Sequence, residues 1–237
     1  MSTRAAAGPS FLSGVERATA DPILGVSVAF RESTNPNKLN LGVGAYRTED
    51  LKPYVLDVVR QAEKRMIEAD FDKEYLPMQG LAEFNEATRK LLLGDSSKAV
   101  ADGCVATVQS LSGTGSLRVG AAFIAKFMPG AAVYLPNPTW GNHKNIFADA
   151  GAEWKEYRYY DKATIGLDLD GMIADLNAAP AGSVICLHGC AHNPTGVDPT
   201  KEQWSAIADA VEANKLVPFF DVAYQGFASG SLEEDAY

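Results

Sequence analysis

Four polar segments carry the residue types that chemistry needs. The first is Ser110-Leu-Ser-Gly-Thr-Gly-Ser116. Glycines let a backbone approach a ligand closely, and a helix starting there offers free N–H groups to an anion. Ser112, Gly113 and Thr114 are placed to cradle one phosphate, with a plain glycine-rich turn as the competing reading. The spacing departs from G-x-G-x-x-G, because the next glycine is Gly120, and no Walker lysine follows. The second segment is Asn137-Pro-Thr-Trp-Gly-Asn-His143. Pro136 and Pro138 close a strand and leave Trp140 exposed in a loop, where an indole can stack on a flat ligand; a core tryptophan is the alternative. His143 reads as a structural hydrogen-bonder rather than a catalyst, and nothing adjacent decides. The third is His188-Gly-Cys-Ala-His-Asn-Pro-Thr-Gly196, a polar turn whose Asn-Pro bond suits a cis peptide. Asn193 can donate to a ligand oxygen there. His188 and His192 lack a carboxylate or cysteine set that would complete a metal site, so no metal is expected. The fourth is Phe219-Phe-Asp-Val-Ala-Tyr-Gln-Gly226. Asp221 follows two phenylalanines and needs a cation or a donor beside it. Tyr224 brings a phenol to the same region. One carboxylate for a ring nitrogen and one phenol for a ring oxygen suit a pyridine cofactor.

These segments must be held at strand ends. Val105–Val108, Ala132–Leu135, Val184–His188 and Val217–Asp221 read as strands preceding the four in turn. Trp154–Tyr160 is a further strand, rich in aromatics. Leu117–Phe127, Asn142–Ala150 and Met172–Leu176 read as helices between them. Thr200 and Gln203 form a capping box before a helix through Trp204, Ile207 and Val211. Repeated strand–helix units imply an α/β fold, a mostly parallel sheet with helices on both faces. Ligands in such sheets sit beyond the carboxyl ends of the strands. Residues 1–53 are rich in turn formers and read as an arm or loop-rich subdomain; 54–237 read as the main domain. It opens with a helix through Val55, Val58, Val59 and Met66, then one from Leu81 to Leu92 that Gly94 can cap.

The composition excludes several classes. Of 237 residues, 46% are apolar and 22% charged, which is ordinary for a globular protein and rules out disorder, collagen-like repeats and a disulfide scaffold. The net charge of -9 argues against nucleic-acid binding and requires any anion site to be built locally. Cys104, Cys186 and Cys190 are scattered and fit a reduced compartment; Cys186 and Cys190 read as buried free thiols. No apolar run approaches the ~20 residues of a membrane span. The first fifteen residues hold Arg4 and no acid, a faint transit-peptide signal; an extended arm is the simpler expectation.

Six motifs in register carry a family resemblance. Leu41-Gly-Val-Gly-Ala-Tyr-Arg-Thr48, Glu74-Tyr-Leu-Pro77, Ser110–Ser116, Pro138-Thr-Trp140, Ala191-His-Asn-Pro-Thr-Gly196 and Asp221-Val-Ala-Tyr-Gln-Gly226 resemble the aspartate aminotransferases, class I, fold-type I pyridoxal-phosphate enzymes. The resemblance implies that Ser112, Gly113 and Thr114 hold the cofactor phosphate, and that Trp140 stacks on the pyridine ring. It implies that Asp221 pairs with the ring nitrogen, with His143 bracing that aspartate. Asn193 and Tyr224 would bond the phenolic oxygen. Gly44, Trp140 and Asn193 would meet the substrate α-carboxylate. Tyr75 would reach the neighbour's phosphate across a homodimer interface. Asn137-Pro138 and Asn193-Pro194 would be cis. The implied activity is amino transfer between L-aspartate and 2-oxoglutarate, in the cytoplasm or, alternatively, the mitochondrial matrix.

The resemblance also exposes a departure. The family's Schiff-base lysine lies downstream of the D-x-A-Y segment, whereas the last lysine here is Lys215 and the last arginine Arg158. The substrate-binding arginines and the C-terminal small domain lack counterparts as well, so the large domain reads as incomplete. Residues 1–237 alone are expected to be nearly inactive and to aggregate. The competing readings are a non-catalytic binding or dimerisation protein on the same scaffold and an aromatic or kynurenine aminotransferase. A nucleotide-binding α/β domain fits poorly, because neither phosphate fingerprint is present.

Overall fold

A computed structural model of the chain describes residues 10–16, 22–40, 42 and 44–236. It divides into two compact units, Met1–Glu74 and Tyr75–Tyr237. The first holds helices α1 (Pro22–Glu32) and α2 (Asp57–Glu68), with a bridge between Arg47 and Pro53. Leu41 and Val43 of the L-G-V-G-A-Y-R-T motif lie outside the described residues, as do the first nine.

The second unit carries the sheet. Its elements run α3 (Ala82–Leu93), α4 (Lys98–Ala101), α5 (Ser112–Phe127), β1 (Val133–Asn137), α6 (Gly141–Asp149) and β2 (Trp154–Arg158). There follow β3 (Tyr160–Asp161), β4 (Gly166–Leu167), α7 (Leu169–Ala178), β5 (Val184–His188), α8 (Lys201–Ala213) and β6 (Val217–Asp221). β2, β1, β5 and β6 form one sheet in that order, every pair parallel. β3 and β4 make a separate antiparallel ribbon.

Strand alternation builds the core on both faces. Val133, Leu135, Val184 and Cys186 point to one face, where they meet Leu117, Ala121 and Ile124 of α5 and Ile146 and Phe147 of α6. Tyr134, Ile185 and Leu187 point to the other, against Met172 and Leu176 of α7 and Ile207 and Val211 of α8. Both faces of β1 and β5 are thus covered, which is why these strands read as near-continuous apolar runs. Gly120 sits where α5 crosses β6; a Cβ there would lie 2.7 Å from the Phe219 ring, so this close approach needs glycine. The capping box of α8 forms as expected, Thr200 accepting from the Gln203 N–H and Gln203 reaching back.

Three sequence expectations change. Val105–Val108 joins no strand ladder; Gln109 instead donates its N–H to Gln79 O and accepts from Leu81 N–H, tying this segment to the start of α3. The helix expected from Leu117 begins five residues earlier, at Ser112. The strand expected through Tyr160 breaks at Tyr159, whose hydroxyl donates to Val197 O.

Candidate active site

The sheet order places a reversal between β1 and β5. From β1 the chain moves outward to β2 and then returns to the other side at β5, the crevice where parallel sheets bind ligands. The register aligns His188 with Asp221 at the carboxyl ends of β5 and β6. The chemistry-bearing loops leave from these ends.

Asp221 closes β6 and meets His143 of α6, whose Nε2 lies 2.9 Å from Asp221 Oδ2. His143 is fully buried and the Asp221 side chain is mostly so. The hydrogen bond from His143 holds the Asp221 carboxyl below its ordinary range, against burial acting the other way. A chain of hydrogen bonds behind this pair fixes its direction. The Asn193 backbone N–H can only donate, so His188 Nδ1 accepts it, at 3.2 Å. Burial, then the neighbouring His192 and His143, push His188 down to about 3, so its ring is neutral with the proton on Nε2. That nitrogen lies 3.2 Å from Thr139 Oγ1, which therefore turns its own proton to His143 Nδ1, 2.7 Å away. His143 is left with its proton on Nε2, aimed at Asp221.

The same residues could be mistaken for a metal site. His143, Cys186 and His188 bring ligand atoms within 4.8 Å of one another. Yet both nitrogens of both rings already have partners, and burial pushes the Cys186 thiol up, keeping it protonated.

The start of α5 and Asp221 line the same pocket. α5 starts at Ser112, whose φ of +57° turns the chain sharply into the helix. The first helical bond at this end is Gly115 N–H to Leu111 O. Among the described residues the Gly113 and Thr114 amides have no backbone acceptor, so they project from the helix start with the positive end of its dipole. A pocket of about 470 Å³ is lined by Ser112, Gly113, Ser116 and Leu117 on one side and by Phe219–Ala223 on the other. A phosphate-sized anion and a carboxylate-seeking cation are thus both provided for in one cavity.

The structure unites some of the expected residues and separates others. Ser112, Gly113 and Asp221 line the pocket, with His143 directly behind. Trp140, expected exposed, is half-buried at the start of α6 and meets the His143 ring edge-on at 5.5 Å. Asn193 and Tyr224 lie on the adjacent loops after β5 and β6, which meet where Gly189 N–H bonds Asp221 O. Thr114 follows Gly113 in the first turn, outside the pocket lining. Tyr75 is 97% exposed, and Gly44 belongs to the first unit. Asn137-Pro138 and Asn193-Pro194 are both cis, and Cys186 and Cys190 are buried and free. Thr139 was missed by sequence reasoning, since a threonine before a tryptophan announces nothing until the fold sets it between two histidines.

The family model for aminotransferase class I and II matches residues 36–237. The chloroplastic aspartate aminotransferase of Arabidopsis thaliana is 63% identical over 228 residues, 96% of this chain and 50% of that one. The mitochondrial aspartate aminotransferase P2 of Lupinus angustifolius is 62% identical over 232 residues, 98% of this chain and 51% of its own length. Cytoplasmic forms also occur among the relatives. The chain spans about half the length of the curated relatives it matches. Among solved structures, an aromatic-amino-acid aminotransferase from Burkholderia pseudomallei, covalently bound to pyridoxal phosphate, superimposes with a TM-score of 0.91 at 48% identity, over 96% of this chain and 57% of that one. Such neighbours share the fold-type I architecture. Because that family model spans most of the sequence, the chain belongs to the class I and II aminotransferases.

Proposed function

We propose that this chain is the cofactor-binding portion of an aspartate aminotransferase, which moves an amino group between L-aspartate and 2-oxoglutarate to give oxaloacetate and L-glutamate. The observation that carries this reading is that one pocket is lined both by the α5 start and by Asp221. The donor set fits pyridoxal 5′-phosphate. Free amides at Gly113 and Thr114, with the Ser112 hydroxyl, suit its phosphate, and a carboxylate held anionic by His143 suits its ring nitrogen. When bound, the cofactor supplies an electron sink for the bonds at the substrate Cα.

The protein's own residues then divide the work. Asp221 would hold a proton on the ring nitrogen, and His143, oriented by Thr139, keeps Asp221 charged and in place. Trp140 covers the ring, and Asn193 and Tyr224 donate to the phenolic oxygen. Trp140 and Asn193 would receive the α-carboxylate. Tyr75 serves the neighbouring subunit of a homodimer. Residues 1–53 form an arm and part of a small domain, and 54–237 belong to the large domain. The compartment proposed is the cytoplasm, with the mitochondrial matrix as the alternative. Among the described residues no helix is long and apolar enough to cross a membrane.

The test is Asp221→Asn in the holoenzyme. The carboxamide keeps the shape and loses the charge. The expected outcome is a fall in kcat/KM for aspartate of roughly 10²–10³-fold with pyridoxal 5′-phosphate still bound. Unchanged kcat/KM would remove Asp221 from the mechanism. Comparing aspartate with phenylalanine as amino donors in the parent enzyme separates the aspartate reading from the aromatic one.

A further inference from the structure

The loop between β5 and α8 is held by a carboxylate that the mechanism above does not use. Three successive backbone N–H groups, those of Ala191, His192 and Asn193, converge on side chains. Ala191 donates to Asp198 Oδ2 at 2.6 Å and His192 to Asp198 Oδ1 at 2.8 Å. Asn193 donates to His188 Nδ1 at 3.2 Å. Ala191 adopts φ +47°, a left-handed conformation that an alanine takes only when surrounding bonds enforce it. Successive N–H groups around an anion form a nest, and here the anion is built in.

The remainder of the loop is tied down as well. Gly196 N–H bonds His192 O at 2.7 Å, and Thr195 Oγ1 lies 2.8 Å from His192 Nδ1. The His192 ring is sandwiched between Tyr159 at 4.0 Å and His188 at 4.2 Å. Against this fixed backbone, the Asn193 side chain has no hydrogen-bond partner among the described residues.

We propose that Asp198 is a positioning residue: by filling the Ala191–His192 nest it sets the direction in which Asn193 presents its side-chain amide to the ligand. The proposal rests on the reading that Asn193 donates to the phenolic oxygen of a bound pyridoxal 5′-phosphate. Only a carboxylate suits the nest. An asparagine offers one acceptor oxygen and turns its NH₂ toward a second N–H donor. Asp198→Asn therefore loses one of the two bonds, and Asp198→Ala loses both.

The experiment is a double-mutant cycle in the holoenzyme, read by the pH titration of the visible absorbance of bound pyridoxal 5′-phosphate. A donor lost from an ionised oxygen displaces such a titration by about one pH unit. Asn193→Ala is expected to shift it by that amount. Asp198→Ala should shift it in the same direction, and Asp198→Asn by an intermediate amount. The double variant Asp198→Ala with Asn193→Ala should go no further than Asn193→Ala alone. An unshifted titration in both Asp198 variants, or shifts that add in the double variant, would overturn the positioning role. An unshifted titration in Asn193→Ala would instead sink the underlying reading of Asn193. If Asp198→Ala does not fold, Asp198→Asn against Asn193→Ala decides the question alone.

Discussion

At the scale of single residues, the site is a set of three stacked and edge-packed histidines arranged behind one carboxylate. Burial pushes His188 down to about 3 and His192 to about 4, from an ordinary value of 6.5. The unfolded chain thus binds more protons than the folded one between pH 6.5 and those values. Their stabilising contribution is complete above pH 6.5 and is lost as pH falls from there toward 3 to 4. The expected slope is about 1.4 kcal/mol per pH unit for each histidine in that window. Denaturant midpoints measured from pH 7.5 to 4.5 check this, with His192→Gln giving a shallower slope than the parent. Asp221 acts at lower pH. Its carboxyl is held below 3.8, so its contribution persists until the medium is more acidic than that. Much of this was legible in the sequence as types: an aspartate after two phenylalanines must have a partner, and a glycine-serine-threonine run at a helix start suits an anion. The identity of the partner was not, because His143 and Asp221 are 78 residues apart and only the sheet brings them together.

At the scale of elements, legibility followed how local the signal was. The α8 start was readable because Thr200 and Gln203 satisfy each other three residues apart. Thr200→Ala should cost about 1 kcal/mol, visible as a lowered midpoint with unchanged denaturant slope. The α5 start was misplaced because its first turn is serine, glycine and threonine, which carry no apolar periodicity. What makes that turn helical is the packing of Leu117, Ala121 and Ile124 further along. Val105–Val108 has strand composition but pairs with none of the four strands. A β ladder needs a neighbour, and the neighbour is never written in the strand's own residues.

At the scale of the whole molecule, much apolar surface lies open. Phe123 and Phe127 on α5 are 58% and 60% exposed, and their rings contact each other at 4.9 Å. Val58, Val59, Met66 and Ile67 of α2 are exposed too. Patches of this kind drive association. Purified residues 1–237 are therefore expected to sediment as oligomers or aggregates. A monodisperse monomer in sedimentation velocity would contradict that expectation.

The strand order also sets a sequence of events during folding. β1 and β2 are separated by one short helix, and β5 and β6 by α8 alone, whereas β5 must return past β2 to reach β1 across a longer stretch of chain. Pairings so distant along the chain close slowly, because each must first overcome the entropy of the intervening loop. His143 follows the first strand of one pair and Asp221 closes the last strand of the other, so the carboxylate meets its histidine only when β1 and β5 have joined the two pairs. A nascent chain released before β6 has docked would carry the helix start and the histidines but no held anion. The His143–Asp221 contact is in that sense a clock, marking the moment at which a folded polypeptide also becomes a binding site.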